Sequence, residues 1–129
     1  MRGPAFTVRP GQPRVPAHRT AGERFDALAL GVMQELWERF PDELGDVQLG
    51  VEEVPLLPEG WSEDTVPLAS FVPATARTPA RLVLLRRPIE HRAQDRAELE
   101  ALLLTVLVEQ VAEVLGCSPE DVHPDYEAD

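Results

Sequence analysis

The placement of proline constrains this chain more than any other sequence feature. Of its thirteen prolines, none falls within residues 17–40 or 89–118, and no other proline-free stretch approaches these two in length. Proline inside a helix removes a hydrogen bond and clashes with the preceding turn, so long helices are confined to these two windows. Between them, Pro41, Pro55, Pro58, Pro67, Pro73, Pro79 and Pro88 cut the chain into pieces that suit short strands and turns.

Both windows carry helix signals. In the first, Thr20 and Glu23 form a T-x-x-E capping box. Phe25, Leu28, Ala29, Val32, Met33, Leu36 and Phe40 then recur at spacings of three and four. This predicts an amphipathic helix of about five turns, ended by Pro41, with its stripe used for core packing. In the second window Asp95 and Glu98 repeat the capping box, and Gly116 stands where a helix stop belongs, which predicts a helix over 94–115.

The middle predicts three strands. Residues 46–53, DVQLGVEE, alternate apolar Val47, Leu49 and Val51 with polar neighbours, the pattern of a half-buried strand. Pro55 and Pro58 open a loop through Gly60, Trp61 and Asp64. A second strand is expected at 67–72, PLASFV, followed by the turn-like PATARTPA. The third, RLVLLR at 81–86, is a continuous apolar run, which predicts burial on both faces; Pro88 stops it. Helix, three strands, helix is an α+β domain over residues 21–117. Aromatics are only 5% of the chain, so aliphatic packing must dominate its core.

The flanks differ in charge. Residues 1–20 hold Arg2, Arg9, Arg14 and Arg19, four prolines and no acid, which predicts a disordered basic arm. Residues 118–129 form an acidic tail with Glu120, Asp121, Asp125, Glu127 and Asp129. The net charge is −11; the arm contributes +4, so residues 21–129 carry −15. A surface of that sign argues against nucleic acid as a partner. Cys117 is the only cysteine, so no internal disulfide can form, as expected in a reducing compartment. There is no signal-peptide pattern and no apolar run of the ~20 residues that a membrane span needs, so the expectation is a cytoplasmic protein. The oligomeric state is not legible.

The second helix has an odd feature. On a wheel with Leu99 at zero, Leu99, Leu102, Leu103, Val106, Leu107 and Val114 fall in an arc centred near about 10–20°. Gln110 lands in the middle of that arc, with Glu113 and Glu109 along one flank. A central amide costs free energy unless it is hydrogen-bonded, and carboxylates at i and i+4 repel. Periodicity alone favours a stripe that runs out, leaving Gln110 in water; the alternative is a site, or what remains of one.

The segment VLVEQVAEVLG, Val106–Gly116, resembles the active-site helix of the small bacterial zincin-like metallopeptidases, which reads approximately V-x-H-E-I-A-H-H-F-G. Gly116 and Ala112 align with that helix's glycine and alanine. Upstream, VEEVP at 51–55, PLASF at 67–71 and ARLVLLRRPIE at 80–90 are similar, in order, to the family's strand motifs. The resemblance covers roughly residues 23–122. It implies a minimal zincin-like fold, with an N-terminal helix, a three-stranded mixed sheet and a motif-bearing C-terminal helix. It also places the family's first zinc-binding histidine at Glu109, its general-base glutamate at Gln110 and its second histidine at Glu113.

Every one of those roles is altered. H-E-x-x-H chemistry needs two neutral imidazoles one turn apart and a glutamate that takes a proton from zinc-bound water. Glu109 and Glu113 offer only carboxylate oxygens, better suited to a weak hard-cation site than to zinc. Gln110 is an amide and cannot act as a general base near neutral pH. Zinc is the cofactor of intact family members; here no cofactor and no catalytic residue is expected. Glu109, Glu113, Glu120, Asp121 and His123 remain weak candidates for a rebuilt metal site, although a lone histidine in a tail is more often solvated. His18 and His91 have no convincing place.

The leading expectation is therefore an inactive metallopeptidase homologue that binds a peptide or protein in the groove beside the strand at 67–72. Two alternatives stay open: a metal-dependent hydrolase with an unconventional carboxylate site, and an interaction module that works through charge.

Overall fold

The computed structural model describes residues 6–8, 21–53 and 67–127. Along the chain these form β1 (Phe6–Val8), α1 (Ala21–Arg39), α2 (Pro41–Leu44), β2 (Gln48–Glu52), β3 (Ala69–Val72), β4 (Arg81–Leu85), α3 (Arg86–Arg92), α4 (Arg96–Leu115) and α5 (Pro119–Val122). The protein is an α+β domain with a mixed sheet, and the three strands expected from the sequence are all present. Sheet order is β1-β2-β4-β3. β2 and β4 run parallel, in register from Gln48 opposite Arg81 to Glu52 opposite Leu85. β3 joins β4 antiparallel, with Ser70 opposite Val83.

The apolar run of β4 explains its position. Leu82, Val83, Leu84 and Leu85 are all buried, so both faces of this strand are covered, as its unbroken hydrophobicity requires. On one face Leu82 and Leu84 meet Leu49 and Val51 of β2 and the apolar sides of α1 and α4. From α1 come Phe25, Ala29, Met33 and Leu36, all fully buried. Trp37 adds an anchor: its indole N–H donates to the Val47 carbonyl at 3.0 Å, which ties the end of α1 to the start of β2.

The helix ends follow local chemistry. The Asp95 carboxylate accepts from the Glu98 N–H at 2.9 Å, and the Glu98 carboxylate accepts from the Gln94 N–H at 2.8 Å. This is the expected capping box, with its return bond one residue upstream. Gly116 ends α4 in the left-handed region at φ 74°, and the Cys117 N–H closes onto the Ala112 carbonyl at 3.0 Å.

Four expectations change. Residues 6–8, predicted as part of a disordered arm, pair antiparallel with β2 as a fourth strand. The rest of the arm, the Thr20 cap and the loop at 54–66 lie outside the described residues. Pro88 does not end the strand; it sits in the first turn of α3, where no intrahelical N–H is needed. His91, expected in a turn, is an exposed residue near the end of that helix. The acidic tail folds back as α5 and a packed segment: Val122 is fully buried and His123 is 4% exposed, because Val122 fills a gap in the apolar cluster. Among the described residues no helix is long and apolar enough to cross a membrane.

Two buried side-chain polar atoms, Arg81 Nε and Asp26 Oδ1, have no hydrogen-bond partner among the described residues. Asp26 stands on α1. Gly22, one turn earlier, leaves room for the Arg86 guanidinium, which pairs with Glu53. Burial raises the Asp26 pKa from 3.8 to about 6; Arg86 opposes the rise, and Glu23 and Glu90 add to it. The folded state therefore holds this proton more tightly than the unfolded chain. The contribution is fully present below about pH 3.8 and is lost as pH rises through about 6. Asp26→Asn should stabilise the protein at pH 8 by about 1 kcal/mol, a figure reduced from the full shift because the group is only half-buried. Urea unfolding of both proteins at pH 5 and pH 8 checks this; the gain must be larger at pH 8.

Candidate functional site

α4 carries the segment that resembles a metallopeptidase helix, and its surroundings decide what that segment can do. The helix is covered by α1, α3, α5 and β3. Burial therefore spreads round it instead of following one stripe: Val108, Val111 and Ala112 are buried. Val114, expected on the core face, is 36% exposed. Gln110 is partly exposed, and Glu109 and Glu113 are exposed. The amide predicted in the middle of the apolar arc thus reaches water, because the core side of the last two turns has rotated away from it.

The first motif position is occupied by a hydrogen bond. The Tyr126 hydroxyl donates to the Glu109 carboxylate at 2.6 Å. This bond holds the phenolic proton and pushes the Tyr126 pKa from 10.0 up to about 12, with the charges of Glu109 and Glu120 adding to the rise.

His123 is equally committed. Its Nδ1 accepts from the Asp125 N–H at 3.0 Å, so that nitrogen presents its lone pair and Nε2 carries the proton. Nε2–H then donates to the Glu35 carboxylate on α1 at 3.2 Å. An imidazole ligates a metal through a lone pair, and the only one available in this tautomer is already used. His123 is therefore a structural residue of the closing segment and not a solvated one. Beside it the Arg39 Nε–H donates to the Val122 carbonyl at 2.8 Å, and Thr105 Oγ1 donates to the Glu127 carbonyl at 3.0 Å.

The remaining candidates are not gathered. Glu120 and Asp121 are exposed on α5, and Asp121 accepts from the Ser118 hydroxyl at 3.0 Å. Among the described residues no group of three or more His, Cys, Asp or Glu is placed to hold a metal ion. The donor set, carboxylates with one engaged imidazole, does not fit a tetrahedral catalytic zinc. A hollow of about 520 Å³ lies further toward the start of α4, lined by Arg92, Glu98, Leu102, Leu104 and Asp125 among others, and includes none of the motif positions.

β3 lies at the end of the sheet and packs on α4. The Leu85 N–H donates to the Leu68 carbonyl at 2.9 Å, which sets the phase of the antiparallel ladder. By alternation Ser70 and Val72 also face β4, so the N–H and C=O groups of Ala69 and Phe71 point away from the sheet.

Comparison with family models matches residues 37–128, from Trp37 at the end of α1 to beyond α5, to the zincin-like metallopeptidases. The chain belongs to the zincin-like metallopeptidase family. The match takes in β2, β3, β4, α4 and the closing segment. Comparison with curated proteins returned no match.

Sequence reasoning missed Tyr126 and Glu35. A signal was present: V-H-P-x-Y at 122–126 places a valine and the chain's only tyrosine in an otherwise acidic stretch, which is not the composition of a solvated tail. Because Tyr126 is the only tyrosine, its titration is directly visible. Ultraviolet titration at alkaline pH should find the phenol ionising near about 12, and Glu109→Gln should bring it down toward its ordinary 10.0.

Proposed function

We propose that this zincin-like protein is not a peptidase and uses the family scaffold to hold an extended polypeptide along the outer edge of β3. The observation that carries the first half is the commitment of the site's own donors. Glu109 accepts from Tyr126, and both nitrogens of His123 are engaged by Glu35 and Asp125. Gln110 cannot take a proton from water, and loss of general-base assistance alone lowers a rate on the order of a hundredfold to ten-thousandfold. The second half is supported by the outward-facing backbone groups of Ala69 and Phe71, which suit strand addition.

The test is metal and turnover together. The purified protein should contain no stoichiometric zinc, should show no calorimetric binding of zinc tighter than micromolar, and should leave unstructured peptides intact with any divalent metal. The combined Glu109→His, Gln110→Glu, Glu113→His variant should bind zinc at least about a hundredfold more tightly, because two imidazoles one turn apart are the core of the site. Tight stoichiometric zinc in the unaltered protein, or chelator-sensitive cleavage, would overturn the reading.

A further inference from the structure

A polar cluster gathers at the start of α1, where α3 and the residue after β2 meet it. Gly22 and Asp26 stand one turn apart on the same face of this helix. A side chain at position 22 would collide with Nη1 of Arg86, so the guanidinium lies directly against the first turn. Its other amino group, Nη2, pairs with Glu53. Both members of that pair are mostly buried, with side chains 20% and 23% exposed. Beside them the Arg87 N–H donates to the Glu53 carbonyl at 3.0 Å, which joins the end of β2 to the start of α3.

One guanidinium thus stands between two carboxyl groups and is bonded to one of them. Asp26 Oδ1 is buried without a hydrogen-bond partner among the described residues. A neutral carboxyl tolerates such a place at modest cost, whereas a carboxylate there needs a donor. The charged groups that act on Asp26 are Glu23 on its own helix and Arg86 and Glu90 on α3. Two of these are acids, so Arg86 is the cation among them. Its planar fork carries five N–H donors, and Nη1 already faces α1.

We propose that a single proton on Asp26 decides which carboxylate Arg86 serves. With Asp26 protonated, Arg86 is committed to Glu53 and clasps the end of β2 to α3. When Asp26 gives its proton to water, the guanidinium turns toward the buried oxygen and its hold on Glu53 loosens. Burial raises the Asp26 carboxyl to about 6, so the clasp is tight below that pH and slack above it.

The test is an NMR titration of the full-length protein from pH 5 to pH 8, following the Asp26 carboxyl carbon and the Arg86 side-chain nitrogens. The Arg86 nitrogens should shift with the midpoint of Asp26, near about 6. That shift should vanish in Asp26→Asn, a variant expected to fold at least as well as the parent. Glu53→Gln should lower the Asp26 midpoint by about half a pH unit or more, because it releases Arg86. Made in an Arg86→Gln background, the same change should lower it by less than half as much. Arg86 nitrogens that ignore the Asp26 midpoint, or that keep their shift in Asp26→Asn, would overturn the proposal. An equal drop with and without Arg86 would mean that Glu53 acts by plain repulsion, and would overturn it too. Should Arg86→Gln fail to fold, the comparison of the parent with Asp26→Asn decides alone.

Discussion

The burial of α4 from several sides is the constraint on which the rest of the structure depends. α1, α3, α5 and β3 all pack on it, and its middle turns, from Leu102 to Val108, are buried almost without interruption. A helix enclosed in this way has little freedom to turn about its own axis. Its orientation fixes which residues of the last two turns face out, and those are Glu109, Gln110, Glu113 and Val114. β3, at the end of the sheet, also packs on this helix. The character of the site thus follows from core packing before any functional residue is considered.

This family member has a central parallel pair, an antiparallel strand at the end of the sheet and a long helix ended by a glycine. H-E-x-x-H chemistry requires imidazoles and a carboxylate on one helix, and the segment that resembles this motif reads Glu109, Gln110 and Glu113. Fold and chemistry are specified by different residues, so one can persist when the other is altered.

Much of this architecture was legible in the sequence because its signals are local. Proline-free windows located α1 and α4, Asp95 and Gly116 marked the two ends of α4, and the unbroken RLVLLR run marked the doubly buried strand. What failed depended on distant partners. Nothing local to Phe6–Val8 says that β2 has an open edge to receive it. The wheel placed Val114 on the core face, where it is 36% exposed, because a wheel assumes one core face, whereas α4 is covered from several directions. At the site, the residue types Glu109, Gln110 and Glu113 were plain from the sequence. The engagement of Glu109 by Tyr126 and of His123 by Glu35 was not, since it links positions 17 and 88 residues apart.

The closing segment acts as a cross-brace. It grips α1 through Glu35 and Arg39 and α4 through Thr105 and Glu109, with Val122 set between. Helices joined only by side-by-side packing can slide along one another, and such shear is a common way for grooves to widen or narrow. Here the slide would stretch hydrogen bonds at four points on two elements. The spacing between α1 and α4 is accordingly set in the free protein, and the two helices move as one unit.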